Sequence, residues 1–113
     1  MATAFAAESG KPAGQAEKTV RLNSGYEMPV AGLGTWTLTG ETCENAVYSA
    51  LKTGVRLIDT AKYYGNEAEV GSAIQRAIAE NLCTREEIFV TTKIVPWSSD
   101  PVADIEDSLK KLK

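Results

Sequence analysis

Residues 57–67, which read LIDTAKYYGNE, constrain the fold of this chain more than any other stretch. The segment begins with a short apolar run, typical of a buried strand, which ends at the carboxylate of Asp59. A polar loop carrying Tyr64 follows, and Asn66 then predicts a helix start, because Asn66 and Glu69 have capping-box spacing. Strand, loop and helix in this order form a βα unit. In parallel α/β folds the carboxyl ends of such strands are where ligands bind.

The same alternation on both sides of this unit predicts an α/β fold with a parallel sheet and the helices outside it. We expect strands at residues 31–36, 56–59 and 88–94, each followed by a helix. Thr39 or Thr42 is expected to cap the first helix, and Gly54 to end it. The second helix is expected at residues 67–81. Pro101 is well placed in the first turn of the third, whose apolar stripe comprises Val102, Ile105, Leu109 and Leu112.

The beginning of the chain differs from the rest. Residues 1–18 are rich in Ala, Gly, Ser and Glu without periodicity, so we expect them to be disordered and residues 19–113 to form the domain. A signal peptide is not expected, because no basic residue precedes the apolar stretch and Glu8 interrupts it. Two short segments flanking Asn23-Ser24-Gly25 predict a β-hairpin, in which Gly25 supplies a positive φ.

Composition excludes several classes of protein. The net charge of −3 and the absence of a basic run argue against a nucleic-acid surface. A membrane-spanning helix is not expected, since no apolar run approaches about 18 residues. Cys43 and Cys83 lie in or beside predicted helices, without metal-like spacing. We therefore expect two reduced thiols in a cytoplasmic protein, and no metal site.

Three motifs, in the same order along the chain, resemble those of the aldo-keto reductase family. Residues 54–61 (GVRLIDTA), followed by Glu67 and then by Val70-Gly71, resemble the first signature of that family, although Val55 stands where an aromatic residue is usual. Upstream, GLGTW at residues 32–36 resembles its first barrel strand. Downstream, FVTTK at 89–93 resembles its third strand with the catalytic lysine. The resemblance covers roughly residues 20–113.

The resemblance implies a (β/α)8 TIM barrel, which typically needs about 250 residues. This chain would be its N-terminal part, with a β-hairpin that plugs the amino-terminal end of the barrel and about three βα units. We therefore expect a fragment or a truncated gene product. Open strand edges and uncovered apolar helix faces would make the isolated chain marginal, oligomeric or molten.

Carbonyl reduction needs a hydride, which a cofactor brings, and a proton donor for the developing alkoxide. A free phenol has a pKa of about 10, which a nearby ammonium lowers. A carboxylate beside the ammonium keeps it charged and oriented. By resemblance, Tyr64 is the proton donor, Lys93 its electrostatic tuner and Asp59 the partner of the lysine and a cofactor contact. From spacing alone, the alternatives are a packing or surface tyrosine, a solvated lysine and a turn-capping carboxylate.

The resemblance also implies roles for neighbouring residues. The family places its catalytic tyrosine five residues after the aspartate, which selects Tyr64, and Tyr63 then lines the pocket. Trp36 and Trp97 would wall the substrate pocket, and Thr35 would lie near the nicotinamide. The alternative for both tryptophans is that they are ordinary core aromatics.

The implied parent reaction is NADPH-dependent reduction of an aldehyde or ketone to an alcohol, by a monomer acting on a small-molecule carbonyl substrate. The family's catalytic histidine ends the fourth strand, and its phosphate-binding loops lie in the C-terminal half. The chain contains no histidine, so we expect it to be inactive by itself. Two alternatives stay open: a non-catalytic binding or regulatory protein on the same fold, and a gene-model fragment with no independent role.

Overall fold

The computed structural model describes residues 18–113, so the predicted disordered segment, residues 1–18, lies outside the described residues except for Lys18. The strands of the described part are β1 (Thr19–Arg21), β2 (Glu27–Pro29), β3 (Leu33–Gly34), β4 (Leu57–Asp59) and β5 (Phe89–Thr91). Its α-helices are α1 (Gly40–Lys52), α2 (Glu67–Ala79) and α3 (Pro101–Leu112). Short 3₁₀ helices lie at Lys62–Tyr64 and Arg85–Glu87.

The strands β3, β4 and β5 form a parallel sheet in chain order, as the alternation predicted. Ile58 in the central strand pairs with Leu33 on one side and with Val90 on the other. The strands are shorter than predicted, because regular pairing ends where the chain turns into loops. Single hydrogen bonds continue past the strand ends, such as Thr60 N–H to the carbonyl of Thr91 at 2.8 Å. The carboxyl ends of β4 and β5 are therefore held together beyond the sheet itself.

The predicted hairpin is confirmed. β1 and β2 are antiparallel, with Val20 opposite Met28. Gly25 has a φ of 96° and donates its N–H to the carbonyl of Leu22 at 2.9 Å. This left-handed conformation is one that glycine adopts without steric cost.

The hydrophobic core lies between the sheet and the helices α1 and α2. Ile58 of β4 is fully buried against both helices, whose buried apolar residues recur at helical spacing. These residues are Cys43, Val47 and Leu51 of α1, and Val70, Ala73, Ile74 and Ala77 of α2. Cys43 and Cys83 are both free and buried, and burial raises the pKa of each thiol, which disfavours the reactive thiolate form.

The predicted C-terminal end of α1 and the predicted start of α3 are confirmed, whereas the predictions for α2 are partly wrong. Gly54, with a φ of 108°, follows α1 directly after its C-cap. Asp100 caps α3 by accepting the N–H of Ala103 at 3.1 Å, with Pro101 as the first helical residue. At the start of α2, Asn66 occupies the cap position but its side chain caps nothing. The capping box fails because tertiary contacts engage that side chain elsewhere. The helix ends at Ala79 instead of residue 81.

Thr39 precedes α1 but makes no side-chain capping bond. The first turn of α1 is therefore not stabilised by a side-chain cap of the kind the sequence predicted.

Helix α3 packs against α2 through a narrow contact. Of the predicted apolar stripe, Leu112 is buried, while Val102, Ile105 and Leu109 are exposed. The two backbones approach closely at Gly71, where an added Cβ would lie 1.9 Å from the carbonyl oxygen of Lys111. Glycine is therefore required at this helix crossing.

We expect Gly71→Ala to destabilise the folded protein by about 1–3 kcal/mol, as overpacking against immovable backbone does. The higher helix propensity of alanine offsets part of this cost. Gly34→Ala is the matched control, because a Cβ at Gly34 meets nothing within 4 Å. Urea unfolding measures both changes. Equal midpoints for the two variants would show that α3 does not lie against Gly71.

Candidate active site

The three predicted catalytic residues, Asp59, Tyr64 and Lys93, lie together at the carboxyl ends of β4 and β5 and are called the acid group below. Asp59 is the last residue of β4, and Lys93 lies two residues past the end of β5. The ammonium of Lys93 donates to the two carboxylate oxygens of Asp59 at 2.9 and 3.1 Å and to the carbonyl of Thr60 at 2.7 Å. Three short contacts to oxygen therefore hold the lysine in one place.

Tyr64 is the tyrosine that contacts this lysine. It ends the short 3₁₀ helix Lys62–Tyr64, and its phenolic oxygen lies 3.4 Å from Nζ of Lys93. Nζ also lies 5.0 Å from the centre of the Tyr64 ring. Tyr63 points elsewhere and packs edge-on against Trp97, with ring centres 5.8 Å apart. The structure thus brings Asp59, Tyr64 and Lys93 together, while their catalytic roles stay predictions.

The charge of Lys93 is secured by its neighbours. Burial by itself would lower the pKa of this lysine, but the hydrogen bonds to Asp59 and Tyr64 outweigh it and raise the pKa above its ordinary value. The ammonium is therefore charged at neutral pH. A positive charge at this distance stabilises negative charge that develops on the Tyr64 oxygen.

Exposed aromatic rings border the same edge. Trp36 is 67% exposed, Tyr63 69% and Trp97 70%. The ring of Trp36 lies 6.5 Å from that of Tyr64, at an interplanar angle of 38°. Neither tryptophan is a buried core residue, so the core alternative is wrong for both. Exposed aromatic faces are suited to packing against a ligand, and their role as pocket walls stays a prediction.

The loop that carries Trp36 is strained. Thr37, the next residue, has a φ of 70°, which a β-branched residue rarely adopts. Strain of this kind costs about 1–3 kcal/mol and persists where the surroundings impose it. The backbone beside Trp36 is therefore held in a conformation that a β-branched residue would not adopt by itself.

Thr35, predicted to lie near the nicotinamide, is fully buried in the structure. Its hydroxyl and its N–H both donate to the main-chain carbonyl of Asp59, at 3.1 and 3.0 Å. In this arrangement Thr35 fixes the end of β4 and does not present its hydroxyl to the open edge. A direct cofactor contact by Thr35 stays a prediction.

Asn66 is a site residue that sequence reasoning assigned to the wrong task. Its amide nitrogen donates to the carbonyls of Thr35 and Leu38, each at 2.9 Å, and its amide oxygen accepts the hydroxyl of Thr60 at 2.6 Å. This buried side chain joins the loops that follow β3 and β4. No signal in a single sequence distinguishes such a bridge from a helix cap, because both need a short polar residue before the helix.

Glu67 was missed as a structural link, although it belongs to the motif that carries the resemblance. Its carboxylate is almost fully buried and accepts the hydroxyls of Thr92 at 2.6 Å and of Ser108 at 3.0 Å. Glu67 is also the first residue of α2, where the helix dipole favours a negative charge. It therefore joins α2, α3 and the residue that precedes Lys93.

Lys62 makes a second link between the site and α3. Its ammonium lies 2.7 Å from Oδ2 of Asp107 and 3.5 Å from Oδ1 of Asp104. Lys111 also pairs with Asp107, at 2.9 Å. Hydrogen bonds from Lys62 and Lys111 lower the pKa of Asp107 to about 2, and the bond to Asp107 raises the pKa of Lys62.

A pH dependence follows from this contact. Because the folded pKa of Asp107 lies below the unfolded value of about 3.9, its contribution to stability is fully present above pH 4 and lost as the pH falls towards 2. We expect the stability of the native protein to decrease over this window, and Asp107→Asn to reduce the decrease. Unfolding midpoints between pH 2 and 6 measure it. A variant with an unchanged pH profile would contradict the contact.

Two features are absent from residues 18–113. No cluster of three or more His, Cys, Asp or Glu side chains in this range could hold a metal ion. In the same range, the helices are too short and too polar to cross a membrane.

Comparison with known proteins places this geometry in a family. The model of the Aldo/keto reductase family matches residues 31–113. The chain belongs to the aldo-keto reductase family. Its similarity to a solved aldo-keto reductase of Bombyx mori, in complex with NADP, extends over 85% of this chain and 34% of that one, at 40% identity and a TM-score of 0.77. The predicted fold, α/β and part of a (β/α)8 barrel, is confirmed.

Curated relatives show the same affiliation. An NAD(P)H-dependent D-xylose reductase I,II of Candida tropicalis is 50% identical over 93 residues, which are 82% of this chain and 28% of that protein. A probable NAD(P)H-dependent D-xylose reductase of Aspergillus niger is 49% identical over 84 residues, or 74% of this chain and 26% of that protein. This aldo-keto reductase chain therefore spans about a quarter of the length of the relatives it matches.

Proposed function

We propose that this chain supplies the proton-donating group of an oxidoreductase that reduces an aldehyde or ketone to an alcohol with NADPH. One observation carries the proposal: the Lys93 ammonium bridges the carboxylate of Asp59 and the hydroxyl of Tyr64 at an exposed strand edge. Residues 19–113 would then be part of the oxidoreductase domain.

Each member of the group has a separate task in this mechanism. As the carbonyl is reduced, negative charge develops on its oxygen, and the hydroxyl of Tyr64 gives up its proton to that oxygen. Lys93 stabilises the phenolate that is left behind. Asp59 and the carbonyl of Thr60 keep the ammonium within reach. General acid catalysis of this kind typically contributes 10²- to 10⁴-fold to a rate.

The exposed residues at this edge fit a nicotinamide cofactor, which supplies the hydride when it is bound. The carboxylate of Asp59 is partly exposed there, and Trp36 presents an open aromatic face. Thr35 would act by holding Asp59, because its hydroxyl is already engaged. The names of the relatives, which include NAD(P)H-dependent enzymes, support this choice of cofactor.

The substrate that suits this site is a small-molecule carbonyl compound. Trp36, Tyr63 and Trp97 offer apolar faces beside the proton donor, and the D-xylose reductase relatives act on a substrate of that size. We further propose that the whole protein acts as a monomer in the cytoplasm, without a nucleic-acid partner. The net charge of −3 supports the last point.

A hybrid protein tests the proposal. Residues 19–113 replace the matching segment of the Candida tropicalis D-xylose reductase, so that the remaining barrel is supplied by a known reductase. We expect NADPH oxidation that depends on added D-xylose or a more reactive aldehyde. The unaltered reductase is the positive control, and circular dichroism establishes that the hybrid is folded. A folded hybrid that binds NADPH but oxidises none would contradict the proposal.

A further inference from the structure

We infer that Lys62 is a positioning residue, which holds the Tyr64 turn against Lys93 through its ion pair with Asp107 of α3. The inference rests on the proposed function, because it assigns Lys62 a role in that proton transfer. Lys62 does not touch the reacting atoms and acts through Tyr64.

The backbone of Lys62 connects the turn that carries Tyr64 to the backbone of Lys93. Lys62 is the first residue of the 3₁₀ helix that ends at Tyr64, and its N–H donates to the carbonyl of Lys93 at 2.9 Å. The carbonyl of Lys62 accepts the N–H of Gly65 at 3.2 Å, which closes the turn around Tyr64. A movement of Lys62 would therefore change the distance between the phenol and the ammonium.

The side chain of Lys62 ties this turn to α3. Asp104 and Asp107 are three residues apart and so share one face of the helix. Their side chains are 23% and 43% exposed, and that of Lys62 is 24% exposed. The pair is thus partly sheltered from water, and it spans 45 residues of sequence.

Helix α3 is itself fixed in position. Ser108 donates to the buried carboxylate of Glu67, Leu112 is buried, and the backbone around Lys111 lies against Gly71. The helix therefore provides a stable support to which the 3₁₀ turn is attached by Lys62.

The geometry of the acid group leaves little tolerance. The Tyr64 oxygen lies 3.4 Å from Lys93, at the long end of hydrogen-bonding distance. A misplacement of about 1 Å can cost 10²-fold in rate. The ordinary alternative is a surface ion pair that stabilises the fold slightly and does nothing for catalysis. Removal of the ion pair lowers kcat if Lys62 is a positioning residue and leaves kcat unchanged if the pair only stabilises the fold.

The test uses the hybrid protein and two variants that remove the pair from opposite sides, Lys62→Met and Asp107→Asn. We expect each variant to lower kcat about 3- to 10-fold, which is less than the loss of about 10²-fold for a displacement of about 1 Å. The Kd for NADPH should be unchanged. The double variant should be no slower than Lys62→Met, because that variant already removes the contacts of Lys62 with both Asp104 and Asp107. Lys62→Arg, which keeps the positive charge opposite Asp104 and Asp107, should retain most of kcat.

Lys111→Met is the matched control. Lys111 pairs with the same carboxylate, but from within α3, so its removal leaves the 3₁₀ turn attached. We expect kcat to stay at the value of the parent hybrid. A fall equal to that of Lys62→Met would show that the charge balance on α3, and not attachment of the turn, is what matters.

The outcomes separate the two claims. Unchanged kcat in both Lys62→Met and Asp107→Asn, in a hybrid that Tyr64→Phe inactivates, overturns the inference and leaves the proposed function standing. Indifference to Tyr64→Phe contradicts the proposed function and the inference together. If Lys62→Met fails to fold, the nearly isosteric Asp107→Asn decides. A fall in kcat that is as large in Lys62→Arg as in Lys62→Met, with a matching fall in Tm, would show a merely structural role.

Discussion

Replacing Tyr64 by phenylalanine in the hybrid is expected to lower kcat for carbonyl reduction by about 10²-fold or more, the range typical of a lost general acid. The substitution keeps the ring that packs 6.5 Å from Trp36 and removes only the hydroxyl beside Lys93. The Kd for NADPH should be nearly unchanged, because the lost interaction belongs to the proton transfer. Steady-state kinetics and fluorescence titration measure the two quantities.

Tyr63→Phe is the matched control, since it removes the same atom from the neighbouring residue. Tyr63 packs against Trp97 through its ring, which the substitution preserves. Its effect on kcat should be far smaller. A larger fall in kcat for Tyr63→Phe than for Tyr64→Phe would show that Tyr63, and not Tyr64, is the proton donor.

Lys93→Met is expected to have an effect of similar size, about 10²-fold or more on kcat, as the loss of one preorganised electrostatic stabiliser does. The variant leaves the carboxylate of Asp59 without its cation and the phenol of Tyr64 without the charge that stabilises its anion. The lysine is partly exposed, so the fold should persist. Kinetics of the hybrid at neutral pH measure the loss.

Lys110→Met, on the exposed side of α3, removes an equal charge away from the site and should leave kcat unchanged. The raised pKa of Lys93 adds a pH test. The stabilising charge is present below the ordinary lysine pKa of about 10.4 and is lost only as the pH rises through the higher folded value. Deprotonation of Lys93 at neutral pH would contradict this electrostatic role.

The parts of the fold that were predictable depend on local signals. Gly54 and Pro101 mark helix ends because their backbone constraints act within one or two residues. The parallel sheet follows from the alternation of apolar strands and amphipathic helices, which needs no knowledge of distant contacts. The strand lengths were overestimated, because they depend on where neighbouring strands diverge, which the apolar pattern of one strand does not show.

The part of the site that was predictable follows from the position of residues at the carboxyl ends of parallel strands. Asp59 ends β4 and Lys93 lies two residues past the end of the adjacent parallel strand β5, and such ends meet at one edge of the sheet. The sequence did not reveal that the side chain of Asn66 bridges two loops and does not cap α2. Nor did it reveal that Lys62 pairs with Asp107, 45 residues away. Both depend on loop paths that residue type does not specify.

The central claim is that Tyr64 and Lys93 act as one acid. The measurement that tests it most directly is kcat for the hybrid variants Tyr64→Phe, Lys93→Met and the double variant, at one pH and with saturating NADPH. Groups that act as a unit have strongly non-additive effects. If Tyr64 and Lys93 act in this way, the double variant is no slower than the slower single variant. Losses that multiply would show that the two residues contribute independently, and would contradict the central claim.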